Sequence, residues 1–497
     1  FDDFTPFLVA AFFGDMACDD AGEPALESSI PFTCDVCQAR FLSRNTLFRH
    51  LREQHTSVKK LPEPPSARWE AEHPSAPEVH AKATAVVRKA KDKKEMGGAR
   101  EEPKKLQIET RPEAYDEELR QKVADMEALL DGFGSLPLPA TEVFASPPEH
   151  FRMRVEFDIS HSADGPSYVM HVGKERVAVP EYPMGCRQIS DAIMPTVLKA
   201  LQDNLVLRQQ LFQINFHATL YGDAMVSLLY RTPYGRSERR ERMLKQGEMR
   251  QSDCQVADDS KLTAEWEDAA VRLSESLSGA SIIGRTRGRK RVVGRAWVQE
   301  QFQVVGCPAV LRYRQLEGFF SQSNASVCQH MLAWARAVAY ADGAELARST
   351  GSPRDDDLLE LYCGNGNFCV ALAPLLRKTF ATEMVKELLD TARTNAEENG
   401  VGNIDFGRVS AEELALAMDG ARAFTRLEHV DLKNYDFQTV LVDPPRAGLG
   451  PAVATFLSGF RRIVYVSCNP KTLQEDLHVL CKTHDIRRLA AFDQFAY

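Results

Sequence analysis

The stretch Arg462-Ile463-Val464-Tyr465-Val466-Ser467-Cys468-Asn469-Pro470 decides how this chain is read. A run of β-branched and aromatic residues predicts a strand buried on both faces, as in parallel sheets. Asn469 suits a helix N-cap and Pro470 the first helical position. Cys468 is therefore expected on a sharp strand-to-helix turn, beside the positive end of a helix. That place lowers a thiol pKa and favours the nucleophilic thiolate. Taken alone, a cysteine at a strand end is more often a core residue, because free Cys is among the most buried types.

Three more strand ends upstream bear on the choice. Leu358-Leu359-Glu360-Leu361 runs into Tyr362-Cys363-Gly364-Asn365-Gly366-Asn367-Phe368, a strand, a glycine turn and a helix start. Glycines there let a backbone approach a ligand closely. The third spaced glycine of the dinucleotide fingerprint is missing, so the turn alone is a weak signal. Thr379-Phe380-Ala381-Thr382 ends in Glu383, where an acid can hold a ribose diol. Phe437-Gln438-Thr439-Val440-Leu441-Val442 ends in Asp443-Pro444-Pro445-Arg446. Strands alternating with helices predict a doubly wound α/β sheet, Rossmann-like, with its ligand crevice at the carboxyl ends. Four reactive strand ends in one sheet favour Cys468 as a nucleophile over a core residue.

The 497 residues allow two to four domains. With 70 acidic against 61 basic side chains the net charge is −9, so the chain is not a basic nucleic-acid binder as a whole and RNA contacts must come from local patches. Eleven cysteines without a regular framework point to a reducing compartment. No apolar run reaches membrane-spanning length, and Leu8-Val9-Ala10-Ala11-Phe12-Phe13 lacks the basic residues of a signal peptide. The expected setting is a cytoplasmic monomer off the membrane, with nucleus or organelle as the other compartments.

Residues 1–30 carry no clear pattern. Residues 31–56 do: Cys34 and Cys37, then a gap of twelve, then His50 and His55, with Phe41 and Leu47 between the pairs. Two cysteines from a hairpin and two histidines from one helix face make a closed tetrahedral Zn2+ site. The stretch resembles the C2H2 zinc fingers, and that likeness turns Ser43, Thr46 and Arg49 outward. A single finger reads about three base pairs at best, so RNA, DNA and protein all remain open as partners. Residues 57–110, rich in Pro, Lys, Glu and Ala, read as a charged linker.

Residues 111–320 read as an α+β RNA-binding domain. Leu119, Val123, Met126, Leu129 and Leu130 form a helical stripe. Strands are expected at 151–157, 168–172, 176–179, 212–216 and 224–230, with a helix over 189–205. Residues 234–262 read as a charged surface insertion. Arg285-Thr286-Arg287-Gly288-Arg289-Lys290-Arg291 is the densest basic cluster of the folded part and the best candidate for a phosphate-contacting edge. Residues 321–497 are the α/β domain.

Leu-Glu-Leu-Tyr-Cys-Gly-Asn-Gly-Asn-Phe, Ala-Thr-Glu, Val-Asp-Pro-Pro-Arg and Val-Ser-Cys-Asn-Pro together resemble the S-adenosylmethionine-dependent RNA 5-methyluridine methyltransferases. Residues 151–157, 207–214, 319–325 and 492–495 are similar to the bacterial-type tRNA (uracil-5-)-methyltransferase branch. The likeness covers residues 111–497 and leaves out the finger, the linker and the insertion. It implies methylation of uridine 54 in the tRNA T-loop, with Cys468 as nucleophile. It implies that Gln322, Tyr362, Gly364, Gly366, Asn367, Glu383 and Asp443 hold the methyl donor. Asp443 and Gln322 would also meet the uracil edge, and Phe212 would stack on the base. A ribosomal-RNA substrate, or RNA binding without turnover, stays open.

The family pattern continues beyond Asp493-Gln494-Phe495 with a glutamate, the general base, and a last strand. Neither is found before Tyr497. The sequence therefore reads as a fragment cut at both ends, and a slot inside the sheet is expected to be left with unpaired backbone groups. Neither Glu383 nor Asp493 has the spacing to replace the missing base.

Overall fold

The structure is a computed structural model that describes residues 7–15, 32–33, 40–41, 104–105, 110–162, 165–172, 175–231, 262–340 and 354–497. Two compact units divide the chain: Cys18–Glu102, and Phe1–Ala17 together with Pro103–Tyr497. In the smaller unit, β2 (Phe32–Thr33) and β3 (Arg40–Phe41) form an antiparallel hairpin. Cys34, Cys37, His50 and His55 lie outside the described residues, as does the insertion at 234–261.

The first elements of the larger unit are β1 (Phe7–Asp15), β4 (Lys104–Lys105), α1 (Tyr115–Leu130), β5 (Thr141–Phe144), β6 (Arg154–Ser162), β7 (Gly165–Val172) and β8 (Glu175–Ala178). Next come α2 (Met194–Asp203), α3 (Leu205–Arg208), β9 (Leu211–Ala218), β10 (Ala224–Tyr230), α4 (Ala264–Ser276), β11 (Ser281–Thr286), β12 (Arg289–Val293), β13 (Trp297–Phe302) and β14 (Leu311–Leu316). The remainder is α5 (Ala325–Tyr340), β15 (Arg354–Leu361), α6 (Asn367–Leu372), β16 (Leu376–Thr382), α7 (Lys386–Glu398), β17 (Ile404–Gly407) and α8 (Ala411–Met418). After these follow β18 (Phe437–Val442), α9 (Gly450–Leu457), β19 (Arg462–Ser467), α10 (Pro470–Leu480) and β20 (His484–Asp493).

One eight-stranded sheet runs β17-β16-β15-β18-β19-β1-β20-β5. Its five strands from β17 to β19 are mutually parallel, so their carboxyl ends share one edge. Both faces are covered. Leu358, Val464 and Val466 pack with α5, α6 and α7 on one side, while Leu359, Ile463 and Tyr465 pack with α1, α8, α9 and α10 on the other. That is the doubly wound arrangement expected from the motif order. The other large sheet, β12-β11-β10-β9-β6-β7-β8-β4, is antiparallel except for the β10–β11 and β4–β8 pairs. It carries the strands expected within 111–320.

The expected empty slot is corrected. β1 lies between β19 and β20 and is antiparallel to both, with Val9 opposite Ser467 and Leu8 opposite Phe492. The N-terminal run, which held no readable pattern, is the sheet's inner strand. Leu8, Ala10 and Phe12 enter one core, and Val9, Ala11 and Phe13 enter the other. A short, continuous apolar run fits a buried strand and a buried helix segment alike, and no strand–helix repeat flanks this one, which explains the missing signal.

The acidic run Asp355-Asp356-Asp357 opens β15 and ties together the amino ends of the strands. Asp356 pairs with Arg354 and buried Arg462, and Asp357 pairs with Arg377 and accepts from the Asp436 backbone N–H. The basic cluster forms the β11–β12 hairpin. Much of its charge is answered within the molecule: Arg285 and Lys290 pair with Glu317, Arg291 with Glu267 and Arg295 with Asp223.

Phe13 has no solvent exposure. Phe13→Ala is therefore expected to lower stability by about 3–5 kcal/mol, read as a drop in the urea midpoint. An unchanged midpoint would show that β1 is not part of the cooperative unit.

Candidate active site

The parallel register sets the site. Leu361 lies opposite Thr382 and Val442, and Val442 lies opposite Tyr465. The residues that leave these strands therefore emerge together: Tyr362 to Gly366, Glu383, Asp443 and Cys468. Gly366 has φ 85°, and a Cβ there would meet Ala392 at 3.2 Å and Val370 at 3.3 Å. Only glycine combines that backbone with such close packing. Tyr362 also sits at positive φ, 62°. Glu383 fastens the turn, accepting from the Gly364 N–H at 3.2 Å through Oε2 and from the Val385 N–H at 2.8 Å through Oε1. Asn367 starts α6 and contacts Cys328 of α5 through its side chain, Nδ2 to Sγ 3.7 Å.

Gln322 stands on the segment before α5, half-buried. Its loop is held at two points. The Met153 N–H donates to Ser323 O at 2.8 Å, and the Asn324 N–H donates to Gln494 Oε1 at 3.0 Å. Asn324 Nδ2 further donates to Ser146 Oγ at 2.8 Å. The C-terminal end of β20 thus buttresses the Gln322 loop. Phe212 is elsewhere in the fold, on β9 of the other sheet, with the Arg231 guanidinium 5.7 Å from its ring centroid.

Around Cys468 the local expectations hold in part. Asn469 is the N-cap of α10 and accepts from the Lys471 N–H at 3.2 Å, with Pro470 next. Ser467 Oγ bridges the turn, donating to Asn469 O at 3.0 Å and accepting from the Asn469 N–H at 3.2 Å. The expected lowering of the thiol pKa is corrected. Burial pushes the Cys468 thiol up, the Asp443 carboxylate pushes it further, and the Arg446 guanidinium works against both. Partial desolvation disfavours the charged form of the thiol. Asp443 is itself pushed up to about 7 by burial.

Sequence patterns missed two groups here. Asp476 of α10 accepts from the Leu449 and Gly450 N–H groups, at 2.9 and 3.2 Å, and from Tyr465 Oη at 2.8 Å. It clamps the loop after Asp443 onto the helix after Cys468. Gly448 makes the approach possible: at φ 76°, a Cβ would fall 2.9 Å from Asp476 Oδ2. The second group is Arg446 of the Asp-Pro-Pro-Arg string, whose positive charge acts on the Cys468 thiol. Conversely, Asp493 is occupied structurally, accepting from Tyr115 Oη at 2.7 Å and pairing with Lys122 Nζ at 3.4 Å.

The Asp443 shift has a consequence for stability. An unfolded carboxyl releases its proton near pH 4 (about 3.9), whereas the folded one keeps it to about 7. Between these values the native state binds more protons, so rising pH costs stability. The stability of wild type relative to Asp443→Asn is expected to fall from pH 4.5 to pH 7 and to level off above. Urea unfolding at pH 4.5, 6 and 8 checks the sign, and a difference that rises with pH would refute it.

Comparison with known proteins follows the same residues. The family model described as tRNA (Uracil-5-)-methyltransferase matches residues 114–260 and 254–497. The chain is 41% identical over 389 residues to the tRNA/tmRNA (uracil-C(5))-methyltransferase of Azotobacter vinelandii, covering 78% of this chain and 94% of the relative. It is 39% identical over 392 residues to the Acinetobacter baumannii protein of the same name, covering 77% and 96%. The Pyrococcus abyssi tRNA (uracil-54, C5)-methyltransferase, solved with S-adenosyl-L-homocysteine, superposes with a TM-score of 0.48 at 19% identity, over 74% of this chain and 77% of that one. With a family model over more than half its length and relatives near 40% identity, the chain belongs to the tRNA (uracil-5-)-methyltransferase family.

Proposed function

We propose that this chain methylates C5 of a uridine in tRNA, the T-loop uridine 54, with Cys468 as the nucleophile. One observation carries the reading: Cys468 ends β19 at the same sheet edge as the glycine turn, Glu383 and Asp443. The relatives' names supply the tRNA and the uracil. S-adenosylmethionine, when bound, supplies an electrophilic methyl group. The glycine turn, Tyr362, Asn367 and Glu383 form the cradle for it, and the carboxylate of Glu383 is already oriented by two backbone N–H groups.

Uracil C5 is a poor nucleophile. Addition of the Cys468 thiolate to C6 forms an S–C6 bond and moves the C5–C6 electron pair onto C5 and O4, so C5 becomes enolate-like. Asp443 and Gln322 hold the uracil edge, which fixes C5 in line with the methyl group. Phe212 offers a ring for stacking against an unstacked base. Loss of the C5 proton to a base then lets the S–C6 bond break. Asp493 is taken up by Tyr115 and Lys122, and Glu383 by the donor turn, so neither is assigned that last step.

The smaller unit fits a zinc finger in its one described feature. The β2–β3 hairpin places Phe32 opposite Phe41, on either side of Cys34 and Cys37 in sequence. We propose a structural Zn2+ held by Cys34, Cys37, His50 and His55. Among the described residues, no group of three or more His, Cys, Asp or Glu side chains could hold a metal, so elemental analysis decides. One zinc per chain is expected, falling to near zero in Cys34→Ser. Zinc content that is unchanged by that substitution would remove the assignment.

A T-loop RNA carrying 5-fluorouridine tests the catalytic reading, because fluorine at C5 blocks the final deprotonation. With S-adenosylmethionine present, a covalent protein–RNA adduct stable to denaturation is expected, and Cys468→Ala should abolish it. An adduct that survives in Cys468→Ala would sink the nucleophile. RNA binding with no adduct in wild type would leave an RNA-binding protein without turnover.

A further inference from the structure

β14 has neighbours of two kinds. On one side it pairs with β13. On the other, no strand pairs with it among the described residues, and the outward N–H and C=O groups of Arg312 and Arg314 meet α7 and the residue that ends it. Such an edge needs partners for its backbone groups. Two asparagines one helical turn apart provide them. Asn399 accepts from the Arg312 N–H at 2.8 Å and donates to Arg312 O at 2.6 Å. Asn395 accepts from the Arg314 N–H at 2.8 Å. A primary amide carries donor and acceptor as a peptide group does, so the pair continues the ladder in place of a strand.

The two asparagines differ in where else they reach. Asn399 turns back on α7 and donates to Asn395 O at 2.7 Å. Asn395 reaches the glycine turn. Its Nδ2 donates to Asn365 O at 2.9 Å and lies 3.4 Å from Arg314 O. Asn365 Nδ2 in turn donates to Arg314 O at 3.0 Å. Tyr313 Oη, from the same strand, donates to Asn367 O at 3.0 Å. The carbonyls on either side of Gly366 are thus both held from outside the turn. Asn395 has no solvent exposure, and Ala392, three residues earlier on α7, packs where a Gly366 Cβ would fall. Capping the edge accounts for the contacts to Arg312 and Arg314, but not for an amide hydrogen aimed at Asn365. Glycine is conformationally permissive, so the shape of a turn built on Gly364 and Gly366 must be imposed by its surroundings.

We propose that Asn395 is a positioning residue for the methyl donor: it locks Asn365 of the glycine turn to the edge of β14, and the turn's grip on S-adenosylmethionine depends on that lock. The inference rests on the glycine turn being the donor cradle. The same strand serves both substrates, because β14 runs on through Glu317 into the loop of Gln322, the residue assigned to the uracil edge.

Calorimetric titration of the whole chain with S-adenosylhomocysteine reads the lock directly. Asn395→Ala is expected to weaken binding about tenfold, the order of a lost buried hydrogen bond. Tyr313→Phe keeps the ring and removes only the hydroxyl, and should weaken binding about threefold. Asn399→Ala removes the neighbouring edge contacts without touching the turn, so it should melt lower than wild type yet bind S-adenosylhomocysteine equally well. In methylation of T-loop RNA, KM for S-adenosylmethionine should rise in Asn395→Ala while kcat stays within about twofold. RNA affinity measured without the donor should not move. Wild-type affinity in Asn395→Ala overturns the proposal; if that variant does not fold, wild-type affinity in Tyr313→Phe does so. An equal loss in Asn399→Ala also overturns it, since the amides would then only hold α7 to β14. Wild type that itself fails to bind S-adenosylhomocysteine would remove the donor cradle and the lock together, whereas sound wild-type binding with unmoved variants would remove Asn395 alone.

Discussion

A strand buried on both faces has no water for its backbone, so each of its N–H and C=O groups needs a partner strand. β19 carries Cys468 and is paired by β18 on one side and β1 on the other. The position of Cys468 depends on that double pairing. Parallel register with β18 brings Asp443 beside it, and the antiparallel β1 closes the sheet toward β20. Through Gln494, β20 then supports the loop of Gln322. A site made of pieces from across 170 residues is held by one continuous ladder.

Within that frame, burial and charge compete at Cys468. Partial desolvation disfavours the thiolate, and Asp443 adds to the disfavour. The Arg446 guanidinium, on the loop after Asp443, works against both. Asp476, itself kept uncharged more readily by burial, joins that loop to α10 by two hydrogen bonds and accepts a third from Tyr465 of β19. Asp476, on the helix that directly follows Cys468, thereby fixes the backbone of the loop that carries Arg446.

The second sheet follows a different logic. Its β11–β12 hairpin is rich in arginine and lysine, but Glu317, Glu267 and Asp223 answer several of those charges. Ion pairs of this kind at a surface are modest in energy. Their effect is geometric: Glu317 ties the hairpin to the segment leading into Phe319, Phe320, Ser321 and Gln322, so a basic edge lies next to the site loop. Phe320 is 70% exposed there, an apolar ring with no core to fill.

What the sequence determined by itself is the set of strand ends. The runs before Tyr362, Glu383, Asp443 and Cys468 are apolar, short and followed by turn residues, and such local patterns depend only on neighbours in the chain. Asn469 and Pro470 marked the start of α10 for the same reason. Tertiary structure decided the rest. β1 is hard to read because a short apolar run with no strand–helix repeat beside it has no local context, and its partners lie more than 440 residues away. The ionisation of Cys468 is not local: a helix end is read from neighbouring residues, while desolvation and the charges of Asp443 and Arg446 come from packing. Phe212 was named through resemblance, and its place on the other sheet is a matter of topology. Local chemistry is written in neighbouring residues; burial, and the charge that answers it, exists only once distant segments meet.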